Sequence, residues 1–316
     1  MTDTRYVLLV THTRREEALV ATIEASALLV QAGLQPVMAE SELQEALEFA
    51  KANPAHQQVL SSVSTLGSDC NTDQLEIVMV LGGDGTILKA AELVRDSQTP
   101  LLGINLGHVG FLAESEREGL PNAVQRIVER DYIVKERLTL DVSVVVEGKE
   151  IYRSWALNEA TVEKSTAKML EVVVEVDGRP LSSFGCDGIV MSTPTGSTAY
   201  AFSAGGPVVW PSVEALLLVP LSAHALFSRP LVISPDSMLA VEVLQRSAGP
   251  GVLWCDGRRT QDLPLGARVE VTRSPKPVRL ARLRQGSFTD RLVKKFALPV
   301  SGWRGPEHPS ETSAKK

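Results

Sequence analysis

The sequence predicts an α/β protein built in two parts, and three observations predict it. Strand-like and helix-like segments alternate from Tyr6 to Arg130. From Leu138 onward, strand-like segments follow one another with hairpin signals between them. A glycine turn, Gly82-Gly83-Asp84-Gly85-Thr86, joins an apolar run to a helical pattern within the alternating part. Alternation implies a largely parallel sheet, whereas a run of strands implies antiparallel layers.

The elements follow in order. Tyr6–Val10 reads as a short buried strand, Arg15–Ala32 as a helix and Pro36–Ala39 as a second strand. Glu42–Lys51 reads as a helix with Ser41 and Gln44 at capping-box spacing. Residues 54–74 are rich in Ser, Thr, Asn and Asp and read as a loop. Glu76–Leu81 is a central strand, Thr86–Arg95 a helix, Leu101–Asn105 a strand and Leu120–Arg130 a helix. This pattern predicts an N-terminal Rossmann-like α/β domain over residues 1–135. Its ligand should sit beyond the carboxyl ends of the strands, where Gly82–Thr86 and Asn105-Leu106-Gly107 fall.

Leu138–Val146, Ile151–Val162, Leu170–Val176 and Gly188–Ser192 then read as strands, with turns at Gly148 and Asp177-Gly178. Met238–Leu244, Gly251–Cys255, Arg268–Thr272 and Val278–Arg282 continue the series. They predict a β-rich, β-sandwich-like C-terminal domain over 136–285. Within it, the apolar run Val208–Leu218 reads as a loop-to-helix junction with Trp210 near the surface. Arg291–Phe296 reads as a terminal helix, so that 286–302 packs back on the first domain. Residues 303–316 read as a polar, disordered tail.

Composition excludes several function classes. A net charge of −6 argues against broad nucleic-acid binding. No apolar run reaches membrane-spanning length, and Tyr6–Val10 is too short for a signal peptide. Three scattered cysteines, Cys70, Cys186 and Cys255, have no zinc spacing and fit reduced thiols in the cytoplasm.

Two motifs carry chemistry. In Gly82–Thr86, glycines allow backbone amides to crowd a polyanion, so Gly82, Gly83, Gly85 and Thr86 form a candidate phosphate cradle. A carboxylate among such amides repels phosphate unless it handles a proton or a metal, which points to phosphoryl transfer centred on Asp84. The alternative is an ordinary turn in which Asp84 caps the helix. The second motif runs from Asp187 through Ser192-Thr193-Pro194-Thr195-Gly196-Ser197-Thr198-Ala199-Tyr200 to Ser203 and Pro207. Its hydroxyls and free amides suit a nucleoside, and Tyr200 can stack on a base. A plain Ser/Thr turn with a helix cap is the alternative. There is no G-x-x-x-x-G-K-[ST] phosphate loop and no G-x-G-x-x-G fingerprint. His224, beside an apolar stretch, reads as a hydrogen-bonded core residue.

Gly82–Thr86, Gly107–Leu112 (GHVGFL), Asn158-Glu159 and Asp187–Pro207, in this order, resemble the NAD kinases, most of all their actinobacterial members. The glycine-aspartate turn alone is shared with lipid kinases and phosphofructokinases; the full set is far more specific. The resemblance implies transfer of the γ-phosphoryl of ATP, or of polyphosphate, to the 2′-hydroxyl of the adenosine ribose of NAD. It implies a divalent cation, most plausibly Mg2+, and a homodimer or homotetramer, with no nucleic acid or membrane partner. Asp84 matches the essential aspartate and is the candidate base. Gly85 and Phe111 match substrate-contacting positions, and Asn158 and Glu159 match the pair on the ribose. Asp187, Thr195, Thr198, Ala199, Tyr200 and Ser203 match the base- and ribose-binding loop. Asp256 matches an aspartate near the substrate, although Arg258 stands where a glutamine is usual. His108 falls at a variable position of its motif. Gly185 stands where a large polar or basic side chain can occur, which implies open space and acceptance of NADH. Another kinase with the same turn, or a non-catalytic NAD sensor, are the competing functions.

Overall fold

In the computed structural model of the chain, the residues described are 4–107, 110–113, 115–116, 119–283 and 287–300. The expected tail 303–316 and His108 lie outside them. The chain divides into two units, Met1–Ile133 with Ala281–Lys316, and Val134–Leu280.

The first unit is built on a parallel sheet. Its strands are β1 (Tyr6–Thr11), β2 (Gln35–Met38), β3 (Ser64–Thr65), β4 (Leu75–Leu81) and β5 (Leu101–Asn105), in the order β3-β2-β1-β4-β5, with β6 (Ser115–Glu116) on β5. The strands are nearly continuous apolar runs because helices cover a parallel sheet on both faces. In β5 every residue is buried. The helices are α1 (Glu16–Gln31), α2 (Glu40–Ala50), α3 (Pro54–Leu60), α4 (Asp84–Leu93) and α5 (Leu120–Glu129). The chain moves outward from β1 to β3 and then returns to β4 on the other side of β1. That reversal is a topological switch point, where such sheets open a crevice. Thr11 of β1 pairs with Leu81 of β4, so the glycine turn leaves the sheet at that crevice.

Several local expectations change. α2 begins at Glu40 with Ala39 as N-cap and no side-chain cap, so Ser41 and Gln44 form no capping box. The stretch 54–74 is not one loop. Asn53 caps α3 by accepting from the Ala55 amide, with Pro54 in the first turn. The helix after the glycine turn starts at Asp84 rather than Thr86, because Gly83 is already the N-cap.

The second unit holds two antiparallel sheets. β7 (Ile133–Arg137) leads the chain into it, and β20 (Val278–Arg282) leads back. One sheet runs β15 (Leu231–Ile233), β14 (Leu216–Leu221), β13 (Gly188–Ser192), β10 (Glu159–Lys164), β17 (Gly251–Cys255), β18 (Arg259–Leu263). The other runs β12 (Arg179–Cys186), β11 (Leu170–Val176), β16 (Leu239–Val243), β19 (Arg268–Arg273), β8 (Leu140–Val146), β9 (Lys149–Ala156). Inward residues of both sheets, including Val142, Val172 and Val241 on one side and Val162, Ile189 and Leu253 on the other, share a single core. The expected strand Ile151–Val162 is broken: β9 ends at Ala156 and β10 begins at Glu159, in the opposite sheet. The run Val208–Leu218 leads into strand β14 rather than a helix, and Trp210 is exposed.

Candidate active site

The residues singled out in the sequence fall into two groups, one in each unit. In the first unit, β4 delivers the chain to Gly82 and Gly83, and α4 starts at Asp84. A carboxylate in the first turn complements the helix dipole. Asp84 does not cap that helix. Its Oδ2 accepts from the Phe111 amide at 3.1 Å and its Oδ1 from the Leu112 amide at 3.2 Å. The carboxylate is therefore tied to the loop after β5, with one acceptor site left on each oxygen. Gly110 makes this possible: a Cβ there would fall on Asp84 Oδ1. A Cβ on Gly82 would likewise collide with the Thr86 hydroxyl.

The cradle is narrower than the sequence suggested. The Gly82 amide donates to Ile104 O at 3.0 Å, and the Thr86 amide to Gly83 O at 2.9 Å. Thr86 itself is buried. The amides of Gly83 and Gly85 have no acceptor among the described residues. Phe111 is buried, and its ring lies against Phe288 and Phe296 at centroid distances of 5.8 and 5.9 Å. Both rings belong to the Phe288–Phe296 helix, whose Arg291 also donates to Phe111 O at 2.9 Å. Sequence reading expected the terminal helix to pack back on the first domain but named none of these contacts, because residues 111 and 291 lie 180 positions apart.

In the second unit, the corner between β9 and β10 is held by Asp256. Its Oδ1 accepts from the Asn158 amide at 2.7 Å and the Glu159 amide at 3.4 Å; its Oδ2 accepts from the Leu157 amide at 2.9 Å. The fourth donor is Arg259 Nη2 at 2.9 Å. That guanidinium also donates to Trp155 O at 2.8 Å and lies 4.5 Å over the Trp155 ring. Asp256 sits with Gly257 in the β17–β18 hairpin, at φ 53° and 62°, the pair of left-handed residues of a tight hairpin turn. Burial pushes the Asp256 carboxyl up, against three amides and Arg259 that pull it down. Arg259 and Trp155 escaped the sequence reading; the arginine three residues after Asp256 was the available signal.

On its other side the corner meets the hydroxyl-rich loop. Asn158 O accepts from the Thr193 amide at 2.9 Å and Ser192 Oγ at 3.0 Å, and Leu157 O accepts from Thr193 Oγ1 at 2.6 Å. Gly196 crosses directly over Asn158, where a Cβ would fall on the carbonyl oxygen. Ser197 donates to Pro194 O at 2.7 Å, and Thr198 to Thr195 O at 3.3 Å. Most hydroxyls that looked like ligand donors thus hold the loop in shape. The Asn158 carboxamide makes no hydrogen bond among the described residues.

Glu159 is the unusual group here. It is 8% exposed, and its Oε2 has no partner among the described residues. Burial, and then the charge of Asp256, raise its carboxyl to about 8. The same carboxyl accepts from the Tyr200 amide. Tyr200 is 39% exposed, and its phenol is raised by burial and by Glu163, Glu159 and Asp187. Ala199 joins the Gly196–Thr198 turn to the Tyr200–Ser203 helical turn, and Ser203 is exposed. Asp187 pairs with Lys164, which together with Ser222 holds its carboxyl low. His224 is exposed rather than in the core: its amide bonds to Gly185 O at 2.8 Å, and its side chain lies near Asp187. The space expected beside Gly185 is filled by the Met169 thioether.

Comparisons with known proteins follow this division. Residues 7–132 match the profile of the ATP-NAD kinase N-terminal domain, and residues 157–283 that of the ATP-NAD kinase C-terminal domain. The NAD kinase of Leifsonia xyli subsp. xyli is 62% identical over 308 residues, 97% of this chain and 99% of that one. The NAD kinase of Thermobifida fusca is 57% identical, over 96% and 93% of the two chains. Among solved structures, a yeast NADH kinase complexed with NADH superposes with a TM-score of 0.83, covering 96% of this chain and 90% of that one. At 22% identity that likeness speaks for the fold alone.

Proposed function

The chain belongs to the ATP-NAD kinase family, and on that premise we propose how its residues move the terminal phosphoryl group of ATP onto NAD, giving NADP. The acceptor is the 2′-hydroxyl of the adenosine ribose. Such a transfer needs alignment, charge neutralisation and a route for the hydroxyl proton. Asp84 is the group that takes or orients that proton. The observation that carries this role is its attachment to the Phe111 and Leu112 amides, which fixes the carboxylate while leaving one acceptor site on each oxygen. The free amides of Gly83 and Gly85 face the phosphate. In the second unit, the Asn158 carboxamide and the bare Glu159 oxygen are the groups for the sugar and base, with Tyr200, Thr195, Thr198, Ala199, Ser203 and Asp187 around them. Asp256 acts through the corner that it holds.

Among the described residues no three metal-ligating side chains gather. A divalent cation, in this reading magnesium carried by the donor, would supply charge neutralisation at the phosphates. The relatives do not favour a lipid kinase, a sugar kinase or a bare sensor. The protein acts in the cytoplasm as a homodimer or homotetramer joined through the second unit, where Leu226 and Phe227 are exposed. No helix among the described residues is long and apolar enough to cross a membrane.

The test is direct. Incubation with magnesium-ATP and NAD should form NADP, read with an NADP-specific dehydrogenase; absence of NADP overturns the reading. Replacing ATP by inorganic polyphosphate asks for the second donor. Light scattering that shows only a 34.1 kDa species removes the oligomer.

A further inference from the structure

At the switch point of the first unit lies a buried charge to which no role has yet been given. Glu42, in the first turn of α2, is 2% exposed. Its Oε2 accepts from the Thr11 amide at 3.0 Å. Its Oε1 makes no hydrogen bond among the described residues and is matched by charge instead, with Lys89 Nζ of α4 at 2.5 Å. A carboxylate taken out of water needs such a partner, and removing one member of a buried pair is strongly destabilising.

The elements around the glycine turn meet at Thr11. This residue ends β1 beside Leu81, the last residue of β4, and Gly82 follows directly. Its hydroxyl donates to Ala18 O of α1 at 3.3 Å. Through Thr11 and Glu42 the edge of β1 is thus joined to α1, α2 and α4. α4 lies over β4, with β5 on one side and β1 on the other. On the β5 side it is seated by shape: a Cβ on Gly103 would lie 2.7 Å from Ile87 Cδ1. On the β1 side it is seated by the ion pair.

The seat of α4 matters because of what its first turn carries. Asp84 opens the helix, right after the N-cap Gly83. Lys89 follows Asp84 by five residues, about 7.5 Å along the helix axis. A shift of α4 along or about that axis moves the Asp84 carboxylate with it. A displacement of about 1 Å in a reacting geometry can cost roughly 10²-fold in rate.

We infer that Glu42 and Lys89 are a positioning pair for the reaction: they hold α4 against the edge of β1 so that Asp84 meets the acceptor hydroxyl in line. Both act through α4 rather than on the substrate. The inference rests on the kinase reading for the role of Asp84.

The experiment measures kcat, both KM values and the melting temperature on the full chain, with rates taken well below every melting point. Lys89→Met should lower kcat by about ten-fold and leave KM for NAD and for ATP within about two-fold, because alignment is lost and binding is not. That variant strands the Glu42 carboxylate and can fail to fold. The double variant Glu42→Gln with Lys89→Met removes both charges and keeps an acceptor for the Thr11 amide; its kcat should fall as far while its melting temperature stays closer to wild type. Lys89→Arg keeps the charge and should recover most of the turnover. Lys51→Met breaks the surface pair with Glu48 and should change nothing. A double variant with wild-type kcat, a raised KM at constant kcat, no recovery in Lys89→Arg, or an equal loss in Lys51→Met each overturns the inference and leaves the kinase reading standing. A wild-type chain that forms no NADP overturns that reading and the inference with it.

Discussion

Two aspartates, one in each unit, show how the same side chain becomes a tool or a strut. Asp84 is only partly buried and accepts two backbone amides, one on each oxygen. Asp256 is 6% exposed and accepts three amides and a guanidinium. The first is fixed but still has lone pairs to offer; the second is consumed by the fold it organises. What Asp256 gives up reappears beside it, because the Glu159 that it helps to position keeps an oxygen with no partner among the described residues. Number of donors and burial, rather than residue type, separate the two roles.

The sharpest way to break this comparison is Asp84→Asn. If Asp84 handles the hydroxyl proton, turnover should fall by roughly 10²–10⁴, about 3–5 kcal/mol of transition-state stabilisation. The melting temperature should move little, since at most one of two amide bonds is weakened. A variant that melts early yet turns over normally would move Asp84 into the class of Asp256.

Asp256→Ala should do the opposite. It strands Arg259 and three amides in a buried corner, and breaking such a pair costs about 3–5 kcal/mol of stability. Thermal melts should show the loss, and NAD affinity should fall because the Asn158–Glu159 corner loosens. Unchanged melting would mean that the Thr193 loop holds the corner alone.

Gly110→Ala tests the tool without touching its carboxylate. The new Cβ forces Asp84 off its loop amides, a strain of about 1–3 kcal/mol. Turnover should fall while KM for NAD changes little. Full activity would show that the Asp84 anchor is dispensable.

The last test concerns Glu159 and is read against pH. Its folded carboxyl titrates near 8, against an ordinary value of 4.5. Between those values the unfolded chain has lost the proton that the folded chain keeps. Stability from this group is therefore complete below pH 4.5 and declines as pH rises to about 8, by up to about 1.4 kcal/mol per pH unit. Glu159→Gln has no such decline, so its advantage over wild type should grow between pH 5 and 8 in denaturant melts. Parallel curves would mean that Glu159 is ionised throughout.

The sequence made the setting of the first aspartate legible; it named the second as a residue near the substrate but hid the corner that it holds. β4, the glycine turn and α4 follow one another within twenty residues, so apolar run, glycines and helical spacing appear together. The β9–β10 corner is different. Residues 151–162 carry no breaker, and the bend is imposed by an aspartate almost a hundred positions away. The loop 192–198 misled for a related reason. Composition reports how many hydroxyls are present but not which carbonyls they face, and most of them face their own loop. α3 was readable after all: Asn53-Pro54 is a helix-start signal that the polar surroundings of 54–74 concealed.

The Phe288–Phe296 helix has a consequence for how the protein is made. Phe111, whose amide holds Asp84, is itself held by Phe288, Arg291 and Phe296. A ribosome adds about 5–20 residues per second, so the 180 positions from Phe111 to Arg291 take roughly 10–40 s to synthesise. Throughout that interval the glycine turn is complete in sequence but lacks its final support, while the whole second unit emerges. The Asp84 carboxylate, proposed above to handle the hydroxyl proton, is therefore seated with the help of residues synthesised 180 positions after the loop that binds it.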